Sequence, residues 1–264
     1  MNGTANAHRA RKRFGQNFLH DSHVIDRIVR AVAPRPGDPL VEIGPGQGAI
    51  TLPLLRAAGR LEAVEMDRDL LDPLLDKCAD AGELVLHQGD ALNFDFSRTW
   101  PRAEHIRIVG NLPYNISTPL IFHLLTQAER IVDMHFMLQR EVVDRIASAP
   151  GSRVYGRLSV MVQYHCRVER LFTVASGAFR PAPKVESAVV RLIPLRTRQL
   201  AARDPARFAT VVAAAFGQRR KTLRNTLRDL INREDFEAAG IDPGNRAEQL
   251  SVDDFVRLSN RGGD

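Results

Sequence analysis

Apolar residues change their spacing several times along the chain, and each change marks an element. From Ser22 onward Val24, Ile25, Ile28, Val29 and Val32 recur at helical spacing, with Asp21 or Ser22 placed to cap the helix and Pro34 and Pro36 to stop it. "PLVEIG" reads as a strand, "GPGQG" as a glycine loop, and "AITLPLLRAAG" as a helix ended by Gly59. "RLEAVEMD" predicts a second strand and a helix follows it to about residue 80; "ELVLHQGDA" and "IRIVGN" predict the third and fourth strands. A helix after Pro119 reaching about Gln127, the strand "DMHFML" and the helix "QREVVDRIAS" continue the alternation.

Strands that alternate with helices in this way build parallel βαβ units, so the fold class is α/β with a doubly wound, Rossmann-like sheet. "YGRLSVMVQYHC" reads as one more helix and "SAVVRLIPL" as a late strand of the same sheet. After Leu195 strand signals stop. A helix pair around Gly217 and two further short helices predict a small all-α domain. The expected division is a basic N-terminal arm at 1–20, an α/β domain at 21–199 and a helical domain at 200–264.

Composition sharpens this picture in two places. With 264 residues, 44% hydrophobic and 26% charged, the chain can bury a substantial core. It has no apolar stretch of membrane-spanning length and no signal-peptide core, so a cytoplasmic protein without a membrane partner is expected. The net charge of +6 is unevenly distributed: residues 1–13 carry +4 and residues 196–233 carry +8, while the rest of the chain is slightly acidic. Two such segments suit a polyanionic partner whose phosphates supply much of the affinity. Cys78 and Cys166 stand alone, and His87, His123 and His135 lack ligand spacing, so neither a disulfide framework nor a metal site is expected.

The chemistry gathers at strand ends. Gly44, Gly46 and Gly48 in "EIGPGQG" follow the first predicted sheet strand and open a helix, where bare backbone can approach a ligand. Such a loop alone does not separate nucleotide, dinucleotide and nucleoside sites. Glu65 closes the next strand, where a carboxylate can accept both hydroxyls of a ribose. Asp90 closes the third, placed to accept from an adenine amino group. The fourth strand breaks at "VGNLPY", an odd sequence for a core because proline cannot donate to a sheet ladder. Successive strand ends share one carboxyl edge, which suits adenosine with a non-phosphate tail.

Taken together, "GPGQG", Glu65, "GDA" and "NLPY" resemble the S-adenosylmethionine-dependent adenine-N6 methyltransferases. "RKRFGQNFL", "YGRLSVM", "FRPAPKVES" and "QRRKTLRN" extend the match over nearly the whole chain and resemble the bacterial small-subunit ribosomal RNA adenine dimethyltransferases. The resemblance implies a Rossmann-like methyltransferase domain followed by the helical domain. It implies that Asn17, Leu19, Gly44, Glu65, Asp90 and Asn111 bind S-adenosyl-L-methionine, and that Asn111, Leu112, Pro113 and Tyr114 hold the target adenine. Phe179 is expected to close the other face of the base, and Arg219, Arg220, Lys221 and Arg224 to grip RNA.

The residue types suit the reaction. An adenine N6 amine is a poor nucleophile because its lone pair is delocalised into the ring. The Asn111 side-chain oxygen and a backbone carbonyl at Leu112 or Pro113 can accept its two N–H bonds and localise that pair. Tyr114 offers a stacking face, and no strong base and no metal is required. The expected activity is dimethylation of N6 on two adjacent adenosines in a hairpin loop near the 3′ end of 16S rRNA, within a partly assembled small subunit, by a monomeric protein that also serves biogenesis. The rivals are a large-subunit rRNA methyltransferase of the macrolide-resistance type, a mainly non-catalytic assembly factor, and a dinucleotide oxidoreductase. For the last, "NLPY" and the basic tail have no role.

Overall fold

The computed structural model describes residues 16–196 and 201–261, which form two compact units. The first contains the described residues up to Arg140 together with Glu169–Pro194; the second contains Glu141–Val168 together with the chain from Leu195 onward.

In chain order the elements are β1 (Phe18–Leu19), α1 (Ser22–Val32), β2 (Leu40–Ile43), α2 (Thr51–Ala58), β3 (Arg60–Glu65), α3 (Leu71–Cys78), β4 (Glu83–Gln88), β5 (Ile106–Asn111), α4 (Ser117–Leu125) and β6 (Ile131–Gln139). Then follow α5 (Arg140–Ile146), α6 (Arg157–His165), β7 (Cys166–Val174), β8 (Phe179–Arg180), β9 (Ser187–Pro194), α7 (Pro205–Phe216), α8 (Leu223–Thr226), α9 (Arg233–Ala239) and α10 (Val252–Ser259).

Seven strands form one sheet in the order β4-β3-β2-β5-β6-β9-β7. Strands β4, β3, β2, β5 and β6 are mutually parallel, and β9 returns antiparallel to β6. All four residues of β2 are buried, as expected where helices cover both faces of a parallel sheet. Helix α1 starts because the Asp21 carboxylate accepts from Val24 N at 3.1 Å, and it turns Val24, Ile28 and Val32 into the core. Each such side chain contributes about 1.5–3 kcal/mol by leaving water. Gly59, at φ 80°, ends α2 as read from the sequence.

At the amino-terminal edge of the sheet an ion cluster around buried Asp133 ties β5, β6 and β9 together. Arg107 reaches Asp133 at 3.0 Å and Asp38 at 2.8 Å, and Arg191 reaches Asp133 at 2.7 Å. Burial raises the Asp133 carboxyl, but Arg107, His135 and Arg191 together hold it below the usual carboxylate range. Burial also pushes the neighbouring His135 imidazole down to about 4.

Two parts of the sheet differ from the sequence expectation. The helix expected to run through Cys166 ends at His165, and Cys166–Val174 forms β7, which sequence reading missed. β7 closes the sheet order, so an edge strand bearing Arg167, Glu169 and Arg170 loses the clean alternation of an interior strand. Strands β1 and β8 pair as a separate two-stranded ribbon, with Leu19 opposite Phe179 and Phe18 opposite Arg180. A pairing of two residues leaves no periodic signal.

The second unit is helical apart from the start of β7. Asp204 caps α7 with Pro205 in its first turn, and Asn232 and Ser251 make capping boxes for α9 and α10. Phe208, Phe236 and Phe255 are buried, and Tyr155 packs edge-on against Phe216 at 6.2 Å. Its make-up departs from the expected boundary at 199/200, itself outside the described residues, because α6 and most of α5 group with the C-terminal helices. Among the described residues, no helix is long and apolar enough to cross a membrane, and no cluster of His, Cys, Asp or Glu is placed to hold a metal.

Candidate functional site

The sheet order places β2 between β3 and β5, so the chain leaves β2 in one direction and later returns on its other side. That reversal opens a crevice at the carboxyl ends of the strands. A cavity of about 430 Å³ occupies it, bounded by residues 16–19, the glycine loop, Glu65, Asp90 and the segment from Asn111 to Ile116.

Gly44, Gly46 and Gly48 all adopt positive φ, at 66°, 57° and 75°. L side chains rarely adopt this conformation, so the loop exposes backbone where it faces the cavity. The ring of Phe18 lies against Gly46; a Cβ there would come within 3.3 Å of it. On the other side of β2, Gly110 lets β5 approach closely, since a Cβ would sit 2.7 Å from the Ile43 carbonyl oxygen. Asn111 emerges directly after that contact.

Glu65 is buried, at 7% exposure. Its Oε2 accepts from Gly46 N at 3.1 Å and its Oε1 from Asp67 N at 2.9 Å, so it fixes the glycine loop while retaining lone pairs for a ligand. Burial raises its pKa, partly offset by those backbone donors. Asp67 is in turn reached by the Gln16 amide at 3.2 Å. Asp90 accepts from Leu92 N at 3.0 Å and from the Asn93 amide at 3.2 Å, which orients its carboxylate at the cavity wall.

The Asn111 amide donates to the Asn17 carbonyl oxygen at 3.1 Å. This leaves the side-chain oxygen as the acceptor available to a ligand. Leu112 is buried, with its N–H donating to Met137 O at 3.1 Å. The Pro113 carbonyl accepts from Ile116 N at 3.2 Å, whereas the Leu112 carbonyl has no partner among the described residues. Tyr114 is half-buried and lines the cavity; its hydroxyl shares a 2.7 Å hydrogen bond with Ser187, and burial raises its pKa. Asn17 and Leu19 also line the cavity, Leu19 as the buried member of β1.

Phe179 does not join them. It is 2% exposed, belongs to the hydrophobic cluster that contains Leu19, Val24 and Met137, and is absent from the cavity wall. Its ring packs where β8 pairs with β1. Arg219 is also engaged: it pairs with Glu248 at 3.2 Å and donates to the Arg153 carbonyl oxygen. Arg220, Lys221 and Arg224 are exposed in the same helical unit.

Met66 and Glu42 are among the cavity residues that escaped sequence reading. Met66, 53% exposed, follows Glu65 and lines the cavity. Glu42, 1% exposed, lines it from β2, and neither of its carboxyl oxygens has a hydrogen-bond partner. An acid inside "PLVEIG" was the available signal, but the strand reading absorbed it.

Residues 7–262 match the family model described as ribosomal RNA adenine dimethylase. The chain is 59% identical over 254 residues to the ribosomal RNA small subunit methyltransferase A of Pseudomonas aeruginosa, covering 96% of this chain and 95% of that protein. It is 57% identical over 264 residues to the protein of the same name from Chromohalobacter salexigens, covering 98% and 94%. Among solved structures it resembles a dimethyladenosine transferase from Plasmodium falciparum in fold, with a TM-score of 0.77 at 24% identity over 91% of this chain and 95% of that one. It also resembles the 23S rRNA methyltransferase ErmE, with a TM-score of 0.72 at 26% identity over 92% and 98%. A match this long and this similar, on a chain whose strand ends converge on one nucleoside-sized cavity, makes the protein a member of the ribosomal RNA adenine dimethylase family.

Proposed function

We propose that this chain dimethylates N6 of two adjacent adenosines in the hairpin loop near the 3′ end of 16S rRNA, acting on the small ribosomal subunit in the cytoplasm. The observation that carries this reading is the convergence of the glycine loop, Glu65, Asp90 and the Asn111–Tyr114 turn on one cavity. S-adenosyl-L-methionine is the methyl donor used by this family, and the residues present fit it. Three glycines at positive φ let the loop backbone approach the amino-acid portion, and Glu65 and Asp90 follow consecutive strands on the adenosine side. When bound, the donor supplies an electrophilic methyl group.

The protein's own groups do the rest. The Asn111 side-chain oxygen and the Leu112 carbonyl accept the two N–H bonds of the target amine, and the lone pair is thereby directed away from the ring. Pro113 fixes φ and holds the turn that presents that carbonyl. Tyr114 stacks on the extruded base, a contact worth ~1–3 kcal/mol. An unpaired loop adenine costs less to extrude than one in a duplex. For the second methyl only one N–H remains, and either acceptor can hold it. Arg220, Lys221 and Arg224 contact RNA phosphates; the Arg219 guanidinium supports its loop through Glu248 and Arg153.

Incubation with tritiated S-adenosylmethionine and unmethylated small or large ribosomal subunits, followed by mapping of labelled adenines, tests this reading. Label is expected on two adjacent adenosines of small-subunit RNA. Absence of label there overturns it, and label confined to the large subunit selects the macrolide-resistance type of activity.

A further inference from the structure

The chain from β4 to β5 carries the cavity residues Gly89 and Asp90 and then turns away through Phe94 and Phe96. Asp90 closes the near end of that turn on Leu92 N and the Asn93 amide. The far end is held from the carboxyl end of α4. His123 Nε2 lies 2.8 Å from the Phe94 carbonyl oxygen, and the Gln127 amide nitrogen donates to the same oxygen at 3.4 Å. A carbonyl only accepts, so His123 carries its hydrogen on Nε2. Gln127 also accepts from Phe96 N at 2.9 Å through Oε1, which fixes the sense of its amide. Hydrogen bonds to main-chain atoms set where a loop stands, whereas apolar cover would only bury it. The Phe94 ring carries that placement to the cavity: it lies beside Gly89, where a Cβ would come 3.6 Å from it, and stands edge-on to Phe96 at 5.1 Å. The other end of α4 begins at the cavity wall, where Ile116 lines it and the Ser117 hydroxyl donates to the Tyr114 carbonyl at 3.2 Å. One helix thus joins the Asp90 loop to the turn that bears Asn111 and Tyr114.

Resting on the S-adenosylmethionine reading above, in which Asp90 receives the adenine of the cofactor, we propose that His123 and Gln127 are positioning residues for the methyl donor. They hold the Phe94 carbonyl and the Phe96 N–H so that Gly89 and Asp90 already stand at the adenine site before the donor arrives. Neither side chain lines the cavity, so they act through the loop and not by touching donor or target base. A loop already in place spares binding the cost of ordering it. Loss of the tie therefore shows as weaker donor binding, with the transfer step little changed once the donor is bound.

The test compares His123→Gln with His123→Met and adds Gln127→Met. Gln and Met have similar length, but only Gln keeps a donor for the Phe94 carbonyl. The full chain is titrated calorimetrically with 5′-methylthioadenosine, which has the adenosine but no amino-acid portion, and with S-adenosylhomocysteine. Both ligands are expected to bind about three- to tenfold more weakly to the two Met variants, and within about twofold of the parent to His123→Gln. In transfer to small subunits, KM for S-adenosylmethionine should rise by the same factor while kcat and KM for the RNA stay within about twofold. A merely structural role would lower thermal stability and the active fraction, and leave the affinity of the folded protein and its KM unmoved. Met variants that bind as the parent does overturn the proposal, and so does a His123→Gln protein that binds as weakly as His123→Met. In the unmodified protein, 5′-methylthioadenosine should slow hydrogen exchange at the Phe96 amide by about threefold or more beyond its effect at Phe255 in α10. Equal slowing at the two amides overturns the proposal whether or not the variants fold. If neither ligand binds the unmodified protein, the cofactor reading itself fails; if both bind it and the Met variants alike, only the role of His123 and Gln127 does.

Discussion

The side-chain amide of Asn111 donates to the main-chain carbonyl of Asn17, 3.1 Å away, so the segment before β1 dictates which end of that amide faces the cavity. Asn111→Asp keeps the size of the side chain but replaces the donor with a second oxygen that repels the carbonyl. Methyl transfer measured in single turnovers on small subunits is expected to fall by about a hundredfold or more, the scale for losing an oriented transition-state contact. RNA binding should survive. A rate near that of the parent would remove Asn111 from the reaction.

Tyr114 separates a face from a hydroxyl. Tyr114→Phe loses only the 2.7 Å bond to Ser187 and is expected to keep transfer within about threefold, since one neutral hydrogen bond contributes about 1 kcal/mol or less net. Tyr114→Ala loses the stacking surface and should lower kcat/KM for the RNA by about ten- to a hundredfold. Equal losses in the two variants would assign the hydroxyl, not the ring, the leading role.

Asp133 ties Arg107 to Arg191 beneath the sheet, and its folded-state pKa lies below the ordinary value. Its stabilising contribution is therefore fully present above the unfolded pKa of about 3.9 and disappears as pH falls through the folded value. Asp133→Asn leaves two guanidinium groups without their shared anion. A loss of about 3–5 kcal/mol at pH 7 is expected from denaturant unfolding. The gap between variant and parent should narrow below pH ~4, as the parent carboxylate itself takes up a proton.

The exposed cations of the helical unit act through charge. Replacing Arg220, Lys221 and Arg224 together by Ala should weaken RNA binding and flatten its dependence on salt, with the slope of log K against log salt falling by up to about 2 to 3. Affinity for S-adenosylhomocysteine should not change. Arg219→Ala is expected to have a smaller effect on the salt slope and a larger one on thermal stability, because its side chain is spent on Glu248 and Arg153.

The sequence carried the central strands and the strand-end chemistry because both obey local rules. β2, β5 and β6 are compact, largely apolar runs, Gly44 and Asp90 come just after β2 and β4, and Glu65 and Asn111 end β3 and β5. What it hid was decided by distant partners. Phe179 reads the same whether its ring packs on a core or stands open to a base; its burial comes from the pairing of β8 with β1. Arg219 looks as free as Arg220 until Glu248 arrives from later in the chain. Glu42 passed as a polar position in a short strand because nothing local says that both faces of that strand are covered. β7 was lost to its own charges, which an edge strand tolerates and a pattern search penalises.

The two-residue ribbon of β1 and β8 bears on how the protein is handled. Leu19, paired with Phe179 from far along the chain, lines the cavity, with Asn17 and Phe18 resting on Asn111 and Gly46. Fusing an affinity tag close to this segment, trimming the start to aid crystallisation, or nicking it with a protease is thus an edit to that cavity. A preparation shortened past His20 would pass a folding check on its sheet while lacking one wall of the cavity.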